Sequence, residues 1–461
     1  MSSLCKFFSA TLVVLFNMFA TSVVNAGDAG DFIVSFEEFE VPLLSSKPSG
    51  EQLTIQYARI QRRGAKGGIP TFYFSGGPGQ SAIRIVKNYQ SRGRLNKIFR
   101  MLSHHGPIYF MDQRGTGGSQ PDQRVCKPED ELPAIVNGSE KEYQARAKAL
   151  AEKCRRMIHD YATYVQSVDT ILSAADFEHL RTHIGAPKIR VFGISYGSHI
   201  ALSYIRSFGQ HVDRAILALV EGPDHSFKLP LQFDAAVKKI DLMRVKNSQP
   251  PIYDLLKSTL KKFKKNQLVI VRSDAGSTSK LSISQFELKM FVKGFFGSNR
   301  KIDNLHRQLA KSDYNRLYKY VHRRRQLRKL RLKYYVTDCA SYSSESRMAL
   351  ITSQQKTSLL GNALNFPFPS ICSELNVTPL DNQFRSPVKS GVPTLLFSGD
   401  QDYKTPTANA VDVSKGFTNF LHVVEREGFH RICTKKECLN ILNKFLQSKS
   451  ITSSSQLIMV D

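Results

Sequence analysis

Short runs of β-branched and aromatic residues alternate with helical stretches along most of this chain, a rhythm typical of a parallel sheet covered by helices on both faces. The runs predict strands, the first antiparallel, at residues 53–60, 69–74, 107–111, 189–194, 214–220, 393–397 and 421–424. Hydrophobic residues at 41% and charged residues at 23% exclude a disordered, collagenous or polytopic membrane chain. Because open α/β sheets build their sites at the carboxyl ends of strands, the residues after these runs should carry the chemistry.

One long segment, residues 223–390, interrupts this rhythm and reads mostly as amphipathic helices, with loops at 248–251 and 273–279. The chain of 461 residues would suit about three domains, or a single α/β domain with one large insertion. We expect the second organisation. The predicted parts are a signal peptide (1–26), the N-terminal part of the core (27–222), a helical cap insertion (223–390) and the C-terminal part of the core (391–461).

Positive charge is concentrated in the predicted cap. The chain has 65 Lys and Arg against 39 Asp and Glu, a net charge of +26, and residues 223–390 hold 31 of these bases against 12 acids. A solvated helix face is the favoured interpretation, and weak association with anionic polymers or lipid headgroups is the alternative. No aromatic-interleaved motif accompanies the cations, so no nucleic-acid partner is expected. The densest basic run comprises Arg323, Arg324, Arg325, Arg328, Lys329, Arg331 and Lys333.

The N-terminal residues have the pattern of a secretory signal peptide. Lys6 supplies the positive region, residues 7–20 form an apolar stretch, and Val24-Asn25-Ala26 is a small-residue cleavage site. No later segment offers ~20 consecutive apolar residues, so no transmembrane anchor is expected. We therefore expect export, followed by a periplasmic or secreted location, after cleavage behind Ala26.

The cysteine count suits an oxidising compartment. Cys5 lies in the predicted signal peptide, which leaves six cysteines and fifteen conceivable connectivities for three disulfides. We expect sequence neighbours to pair. A zinc knuckle at Cys433 and Cys438 is disfavoured, because four residues separate them and no matching second pair follows; no metal or other cofactor is predicted. The six residues concerned are Cys126, Cys154, Cys339, Cys372, Cys433 and Cys438.

The strongest chemical signal is the G-x-S-x-G motif around Ser195. The motif follows the predicted strand 189–194 and precedes a helical pattern, which is the context of a nucleophile elbow. In such an elbow the serine occupies a strained strand-to-helix turn, and the flanking Gly193 and Gly197 leave room for neighbouring backbone. A structural turn is the alternative. The motif predicts that Ser195 is a nucleophile.

A nucleophilic serine needs a base and an acid that orients this base. His430 follows the last predicted strand and a Gly-containing turn, so its imidazole is the candidate base, with a hydrogen-bonded loop histidine as the alternative. Asp400 and Asp402 both follow the preceding strand. We prefer Asp402, because a loop leaving the strand needs a few residues to reach the histidine. The order Ser, Asp, His is the order of an α/β-hydrolase.

Acyl transfer also needs donors for the developing oxyanion, and backbone amides usually supply them. One donor should be the N–H of Tyr196, directly after the nucleophile. The other should come from residues 75–79, which follow a strand. Pro78 has no N–H, so Gly77 is the expected donor in this turn.

Taken together, these motifs resemble the α/β-hydrolase peptidases that include proline iminopeptidases and secreted tripeptidyl aminopeptidases. The resemblance implies that Ser195 attacks a peptide carbonyl, His430 relays the proton and Asp402 orients His430. It further implies a mostly parallel central sheet with helices on both faces and a helical cap that limits access. Peptides with a free N-terminus are the implied substrates. The resemblance rests on Gly76-Gly77-Pro78-Gly79, the segment 112–119, Gly193 to Gly197, the segment 399–406 and Gly428 to His430.

Some residues depart from the pattern of this family. Glu221-Gly222 follows the strand at 214–220 where relatives commonly carry Asp-Gly, and Phe429 and Arg431 flank the histidine where a glycine often stands. Glu221 is the candidate for binding a substrate ammonium, although an exposed loop carboxylate is the favoured interpretation of this residue. Two other functions remain open. A carboxylesterase would use the same triad, and a non-catalytic binding protein would keep only the fold.

Overall fold

The computed structural model describes residues 25–65, 67–122, 125–272, 278–448 and 456–460. The predicted signal peptide therefore lies outside the described residues, apart from Asn25 and Ala26. None of the described helices has the length and apolar content that crossing a bilayer requires.

Strands occur throughout the described chain and include the seven that the sequence predicts. In chain order they are β1 (Asn25–Ala29), β2 (Phe32–Pro42), β3 (Gln52–Arg62), β4 (Thr71–Phe74), β5 (Ile108–Met111), β6 (Val125–Cys126), β7 (Ile189–Ile194), β8 (Val212–Ala218), β9 (Gln267–Arg272), β10 (Thr278–Ile283), β11 (Leu330–Arg331), β12 (Thr394–Gly399), β13 (Phe420–Glu425) and β14 (Gln456–Val460).

Helices separate most of the strands. In chain order they are α1 (Ile83–Arg92), α2 (Lys97–Leu102), α3 (Glu140–Met157), α4 (Tyr161–Gln166), α5 (Thr170–His183), α6 (Tyr196–Phe208), α7 (Pro230–Lys246), α8 (Tyr253–Lys262), α9 (Gln285–Val292), α10 (Asn299–Ala310), α11 (Asn315–Arg325), α12 (Leu332–Ser341), α13 (Glu345–Gln355), α14 (Ser370–Glu374), α15 (Asn382–Arg385), α16 (Thr407–Ser414) and α17 (Lys436–Gln447).

Ten strands form one sheet in the order β1-β2-β3-β5-β4-β7-β8-β12-β13-β14. From β5 to β14 in this order, each strand pairs in parallel with the next. The pairs β1–β2, β2–β3 and β3–β5 are antiparallel. The carboxyl ends of the parallel strands consequently meet along one edge, where a site can assemble. The predicted α/β-hydrolase fold, a mostly parallel sheet flanked by helices, is confirmed.

The sheet is covered on both faces, because its central strands are apolar on both sides. In β4, Phe72 and Phe74 join one buried cluster with α5, α6 and α16, whereas Tyr73 joins a second cluster with α1, α2 and α17. This two-residue alternation is the side-chain period of a strand. The two clusters hold the sheet rigidly between helical layers, so the loops at its edge rest on a fixed support.

The segment between β8 and β12 contains helices α7 to α15, and the predicted boundaries at 223 and 390 fall in its connections to the sheet. It builds its own apolar cluster, which includes Phe233, Leu256 and Leu288, and it also receives Tyr403 and Phe429 from the C-terminal part of the chain. One hairpin, β9–β10, was not predicted in this helical region. The predicted loop at 273–279 lies mostly outside the described residues, and its last two positions belong to β10.

The densest basic run does not form one solvated helix face, because its members divide among α11, the connection after α11, β11 and α12. Arg325 forms an ion pair with the fully buried Glu287 at 2.7 Å. Lys333 is fully buried, and its Nζ donates to the carbonyl of Val168 at 3.3 Å. The prediction of a single solvated face is therefore wrong for this run, since two of its cations contribute to internal packing.

Three disulfides join neighbouring cysteines along the sequence: Cys126–Cys154, Cys339–Cys372 and Cys433–Cys438. The first two lie in the apolar cluster beside α3, α12 and α14. The third closes a loop that begins three residues after His430. Each bridge reduces the conformational freedom of the unfolded chain and thereby favours the folded state.

Candidate active site

Ser195 occupies a strained turn between β7 and α6. Its backbone has φ 56° and ψ −128°, a conformation that side-chain-bearing residues rarely adopt. The flanking glycines are required here, since a Cβ on Gly197 would lie 1.9 Å from the carbonyl oxygen of Phe74, and one on Gly193 would lie 2.6 Å from that of Gly197. The turn thus presents the Ser195 hydroxyl at the sheet edge, as expected for a nucleophile elbow.

We predict that Gly197→Ala destabilises the protein by about 3 kcal/mol or more, because the new methyl group collides with immobile backbone. Gly209, at the other end of α6, is the matched control: it has φ −58°, and a Cβ there would approach no atom closer than 3.9 Å. Gly209→Ala should change the free energy of unfolding by less than ~1 kcal/mol. Urea denaturation followed by circular dichroism measures both; equal losses would contradict the prediction.

The structure brings Ser195, His430 and Asp402 into one hydrogen-bonded row. The His430 Nε2 lies 3.2 Å from the Ser195 Oγ, and its Nδ1 lies 2.7 Å from the Asp402 Oδ2. In the tautomer that suits this row, Nδ1–H donates to the carboxylate and Nε2 accepts the serine proton. Such an arrangement can deprotonate an alcohol and stabilise the resulting imidazolium.

Asp402 is buried and accepts several hydrogen bonds in addition to that from His430. Its Oδ1 receives the N–H of Lys404 at 2.8 Å, and its Oδ2 receives the Thr405 hydroxyl at 2.7 Å. Asp400, the other candidate, has its Oδ2 3.3 Å from the Nζ of Lys239, and among the described residues the ion pair of His430 is with Asp402. The structure therefore places Asp402, and not Asp400, beside the imidazole.

The side chains that neighbour the acid and the base anchor their loops to the helical segment. Tyr403 and Phe429 both pack in the apolar cluster of that segment, and the Tyr403 hydroxyl donates to the Lys293 carbonyl at 2.7 Å. Phe429, which stands where relatives often have glycine, thus has a packing role. These contacts fix the spacing between the Asp402 loop and the His430 loop.

Two backbone N–H groups near Ser195 are candidates for binding an oxyanion. Tyr196 is the first residue of α6, and the first N–H groups of a helix have no intrahelical partner. Gly76 and Gly77 line the same cavity as Ser195, and a Cβ on Gly76 would lie 3.3 Å from the Ser195 Cβ. Gly77 has φ 128°, which favours glycine, and its N–H has no hydrogen-bond partner among the described residues.

A cavity of about 610 Å³ opens at this row and is large enough for a small ligand. Ser195 and His430 line it together with aromatic rings from the helical segment, among them Phe227, Tyr334 and Phe366. No group of three or more His, Cys, Asp or Glu side chains is arranged to hold a metal ion within the described residues.

Two buried carboxyl groups, those of Glu221 and Asp338, also line the cavity. Glu221 is only 9% exposed, so its interpretation as an exposed loop carboxylate is wrong. Burial raises the pKa of Glu221; burial and the neighbouring Glu221 raise the pKa of Asp338 well above its ordinary value. Neither carboxyl forms an ion pair with another described residue, but the charge of Lys228 opposes the effect of burial on the pKa of both, and the Tyr334 hydroxyl is hydrogen-bonded to Asp338.

Glu221 is attached to the nucleophile elbow through one hydroxyl group. The Ser198 Oγ accepts the N–H of Glu221 at 2.8 Å and donates to the Ser195 carbonyl at 2.6 Å. Ser341 from α12, the helix that carries Asp338, bonds His199 of α6 at 3.1 Å. The two carboxyl groups are thus held at fixed positions relative to the nucleophile.

The loop after β5 has a structural role. Arg114 is buried; it donates to the carboxylate of Asp176 and to the carbonyl oxygens of Leu43 and Ser167 at 2.9 and 3.0 Å. Asp112 accepts the N–H of Ile83 at 3.1 Å, at the start of α1. These contacts join helices on both sides of the sheet and do not reach the cavity.

Sequence reasoning missed Asp338 and the cavity lysines. Asp338 lies on a helix of the insertion, 143 positions after Ser195, and no local motif marks it. The sequence marks Asp338 only as one of the few acids in this basic segment, each of which is a candidate for mutagenesis. The same reasoning leaves Lys293 unmarked, since lysines are abundant there.

Comparisons with known proteins agree with parts of this description. Residues 358–455 match the family model of TAP-like proteins. A stretch of 191 residues, 40% of this chain, is 27% identical to a tripeptidyl aminopeptidase of Streptomyces coelicolor, and the same length is 26% identical to one of Streptomyces lividans. The matched stretch spans about a third, 34%, of the length of these curated relatives.

Solved structures with a similar course of the chain include an esterase from Exiguobacterium antarcticum, 14% identical with a TM-score of 0.39, covering 86% of this chain and 96% of the other. An α/β-hydrolase fold protein from Chitinophaga pinensis is 12% identical with a TM-score of 0.37, covering 89% and 97%. From its own sheet this chain is an α/β-hydrolase by fold, and its C-terminal part carries the match to TAP-like proteins.

Proposed function

We propose that this protein is a serine exopeptidase that releases one or a few residues from the free N-terminus of a peptide. The observation that carries the proposal is the hydrogen-bonded row of Ser195, His430 and Asp402 at a cavity that also contains two buried carboxyl groups. The similarity to tripeptidyl aminopeptidases supports the same reaction class.

In the proposed mechanism, the Ser195 Oγ attacks the scissile carbonyl while the His430 Nε2 takes its proton. The N–H groups of Tyr196 and Gly77 stabilise the oxyanion, and loss of one such donor typically costs ~3 kcal/mol of barrier. His430 then protonates the departing amine, which leaves an acyl-enzyme. Water, activated by the same imidazole, hydrolyses this ester and restores the serine.

Glu221 and Asp338 are the proposed binding site for the α-ammonium of the substrate. An ammonium placed between two buried carboxyl groups would stabilise their ionised forms and replace the solvent that they have lost. A blocked N-terminus brings no charge and would leave the pair uncompensated. This difference would make the enzyme select free N-termini, whereas an esterase has no need of it.

We expect Glu221→Gln and Asp338→Asn each to raise KM for a peptide with a free N-terminus by about 10- to 100-fold, because a charged hydrogen bond is lost. Because the pKa of both groups is raised, the carboxyl groups stay neutral above their ordinary values of ~4.3 for Glu and ~3.9 for Asp, and KM should fall as pH rises through the raised pKa. Kinetics at several pH values measure this, with the exposed Glu345→Gln as control. A pH-independent KM in the wild type would contradict the assignment.

The test of the proposed function is a panel of prolyl, dipeptidyl and tripeptidyl fluorogenic amides, each with a free and an acetylated N-terminus. We expect hydrolysis of at least one free amide and loss of turnover on acetylation. Turnover of esters alone, unaffected by acetylation, would instead indicate a carboxylesterase.

We further propose that the protein is exported and that the segment 223–390 acts as a cap over the site. Three disulfides are typical of oxidising compartments and support export. Phe227, Tyr334 and Phe366 of this segment line the cavity above Ser195, which supports a role in limiting access.

A further inference from the structure

The hydroxyl group of Thr405 contacts both the acid and the base of the hydrogen-bonded row. Its Oγ1 lies 2.7 Å from the Asp402 Oδ2 and 3.1 Å from the His430 Nδ1. The Oδ2 and the Nδ1 are themselves 2.7 Å apart, so the three polar atoms form a triangle in which each contacts the other two. Thr405 is only 2% exposed and lines the cavity, yet the mechanism described above gives it no role.

The single hydroxyl proton of Thr405 can be donated to only one of these two neighbours. In the tautomer that serves the reaction, the Nδ1 of His430 already carries a hydrogen, so the hydroxyl donates to the Oδ2 of Asp402. The Thr405 oxygen then faces the Nδ1–H as a second acceptor beside the carboxylate. Two donors therefore hold the Oδ2, and two acceptors oppose rotation of the imidazole.

The chain around Thr405 fixes the position of this hydroxyl. Threonine is β-branched and therefore stiff at χ1, and the residue before a proline, here Pro406, has a restricted backbone. The Thr405 N–H donates to the Asp402 Oδ1 at 3.3 Å, and Pro406 is the N-cap residue of α16. The hydroxyl is thus held beside the acid before any substrate binds.

We propose that Thr405 is a positioning residue of the triad, whose hydroxyl holds the Asp402 carboxylate in line with His430 during acyl transfer. The inference rests on the proposed function, but only on its triad chemistry, and it applies to peptide and ester substrates alike. Without the hydroxyl, the N–H groups of Lys404 and Thr405 would still hold the Oδ1, whereas His430 alone would hold the Oδ2 among the described residues. The Oδ2 could then move away from the Nδ1, and fewer encounters would have the reactive geometry.

The rate of labelling by a fluorophosphonate, a reagent for activated serines, tests the inference without a peptide. Thr405→Val removes the hydroxyl and keeps the shape of the side chain. It should lower both the labelling rate constant and kcat for the best amide of the panel by about 10- to 100-fold, the usual effect of losing one hydrogen bond to a charged group. KM should stay within about threefold, because no substrate contact is removed. Thr405→Ser keeps the hydroxyl and should restore the labelling rate to within about fivefold of the wild type.

Thr394→Val is the matched control, because Thr394 is also fully buried and lies on β12 without lining the cavity. Its hydroxyl donates to the Val392 carbonyl at 2.8 Å, so the variant loses a buried hydrogen bond outside the row and should be labelled at the wild-type rate. Proton NMR adds a second readout. The low-field signal of the proton between His430 and Asp402 should shift or broaden in Thr405→Val and stay unchanged in Thr394→Val.

If circular dichroism shows that Thr405→Val does not fold, Thr405→Ala compared with Thr405→Ser carries the same test. Labelling of the hydroxyl-free variant at the wild-type rate would overturn the inference. So would equal slowing in Thr394→Val, or a Thr405→Ser variant as slow as Thr405→Val. Failure of the proposed function is distinguishable, because the wild-type chain would then be labelled but would hydrolyse no peptide with a free N-terminus.

Discussion

Ser195→Ala should lower kcat for a peptide amide by about 10⁴- to 10⁶-fold, since the alanine has no oxygen to form an acyl-enzyme. The same substitution should abolish covalent labelling by a fluorophosphonate, which reacts with activated serines. Labelling is measured by fluorescence in a denaturing gel, and turnover with the best amide of the panel.

Ser203→Ala is the control for that substitution, because Ser203 lies on the same helix and is also buried but does not line the cavity. It should retain both labelling and turnover. Equal labelling of the wild type and of Ser195→Ala would exclude Ser195 as the nucleophile, and with it the proposed mechanism.

The second large effect concerns the acid that orients His430. Asp402→Asn should lower kcat by ~10⁴-fold, because an amide beside Nδ1 favours the wrong imidazole tautomer and cannot stabilise the imidazolium. Asp402 also accepts the N–H of Lys404. The asparagine side chain can accept this hydrogen bond only when its amide oxygen points towards Lys404. Steady-state kinetics near neutral pH measure the loss.

Asp400→Asn is the matched control, since it makes the same chemical change two positions away. Asp400 faces Lys239 and not His430, so kcat/KM should stay within about threefold of the wild type. If instead the Asp400 variant loses ~10⁴-fold and the Asp402 variant does not, the acid assigned to the triad is the wrong one.

Much of the fold was predictable because its signals are local. Most of the seven predicted strands are short apolar runs, and the first alternates apolar with polar residues; either pattern is visible without any knowledge of the strand's partners. β2 was missed even though Phe32, Val34, Phe39 and Val41 are buried on it, because the spacing of these residues shifts at Glu37 and Glu38. β14 was missed because it has only five residues, which is too short a run to show a period.

The hairpin β9–β10 escaped prediction for a different reason. Residues 268–271 are an apolar run in which three residues are β-branched, but four lysines at 261–265 extend the preceding helical pattern towards it. In the structure α8 ends at Lys262, and Leu268 and Ile270 are exposed on the hairpin while Val269 is buried. The sequence shows no such alternation, because residues 268–271 are all apolar, so the exposed side of the hairpin is visible only in the structure.

The candidate site also has parts that local sequence predicts and parts that it does not. The elbow, the Gly76-Gly77 turn and the His430 loop follow strands, so their neighbourhood was inferred from fold and order. The burial of Glu221 was not predictable, because the residues that enclose it, such as Tyr334 and Asp338, belong to α12 more than a hundred positions later. Only packing between distant segments creates that environment.

The insertion leaves the sheet at β8 and returns at β12, and these strands are direct neighbours, with Ala218 opposite Phe397. The geometry of the edge on which Ser195 and Asp402 stand is therefore set by this pairing and does not depend on how many residues intervene. Whole inserts exchanged between homologous enzymes should reach the same two attachment points, so a change of selectivity is available without rebuilding the reactive centre.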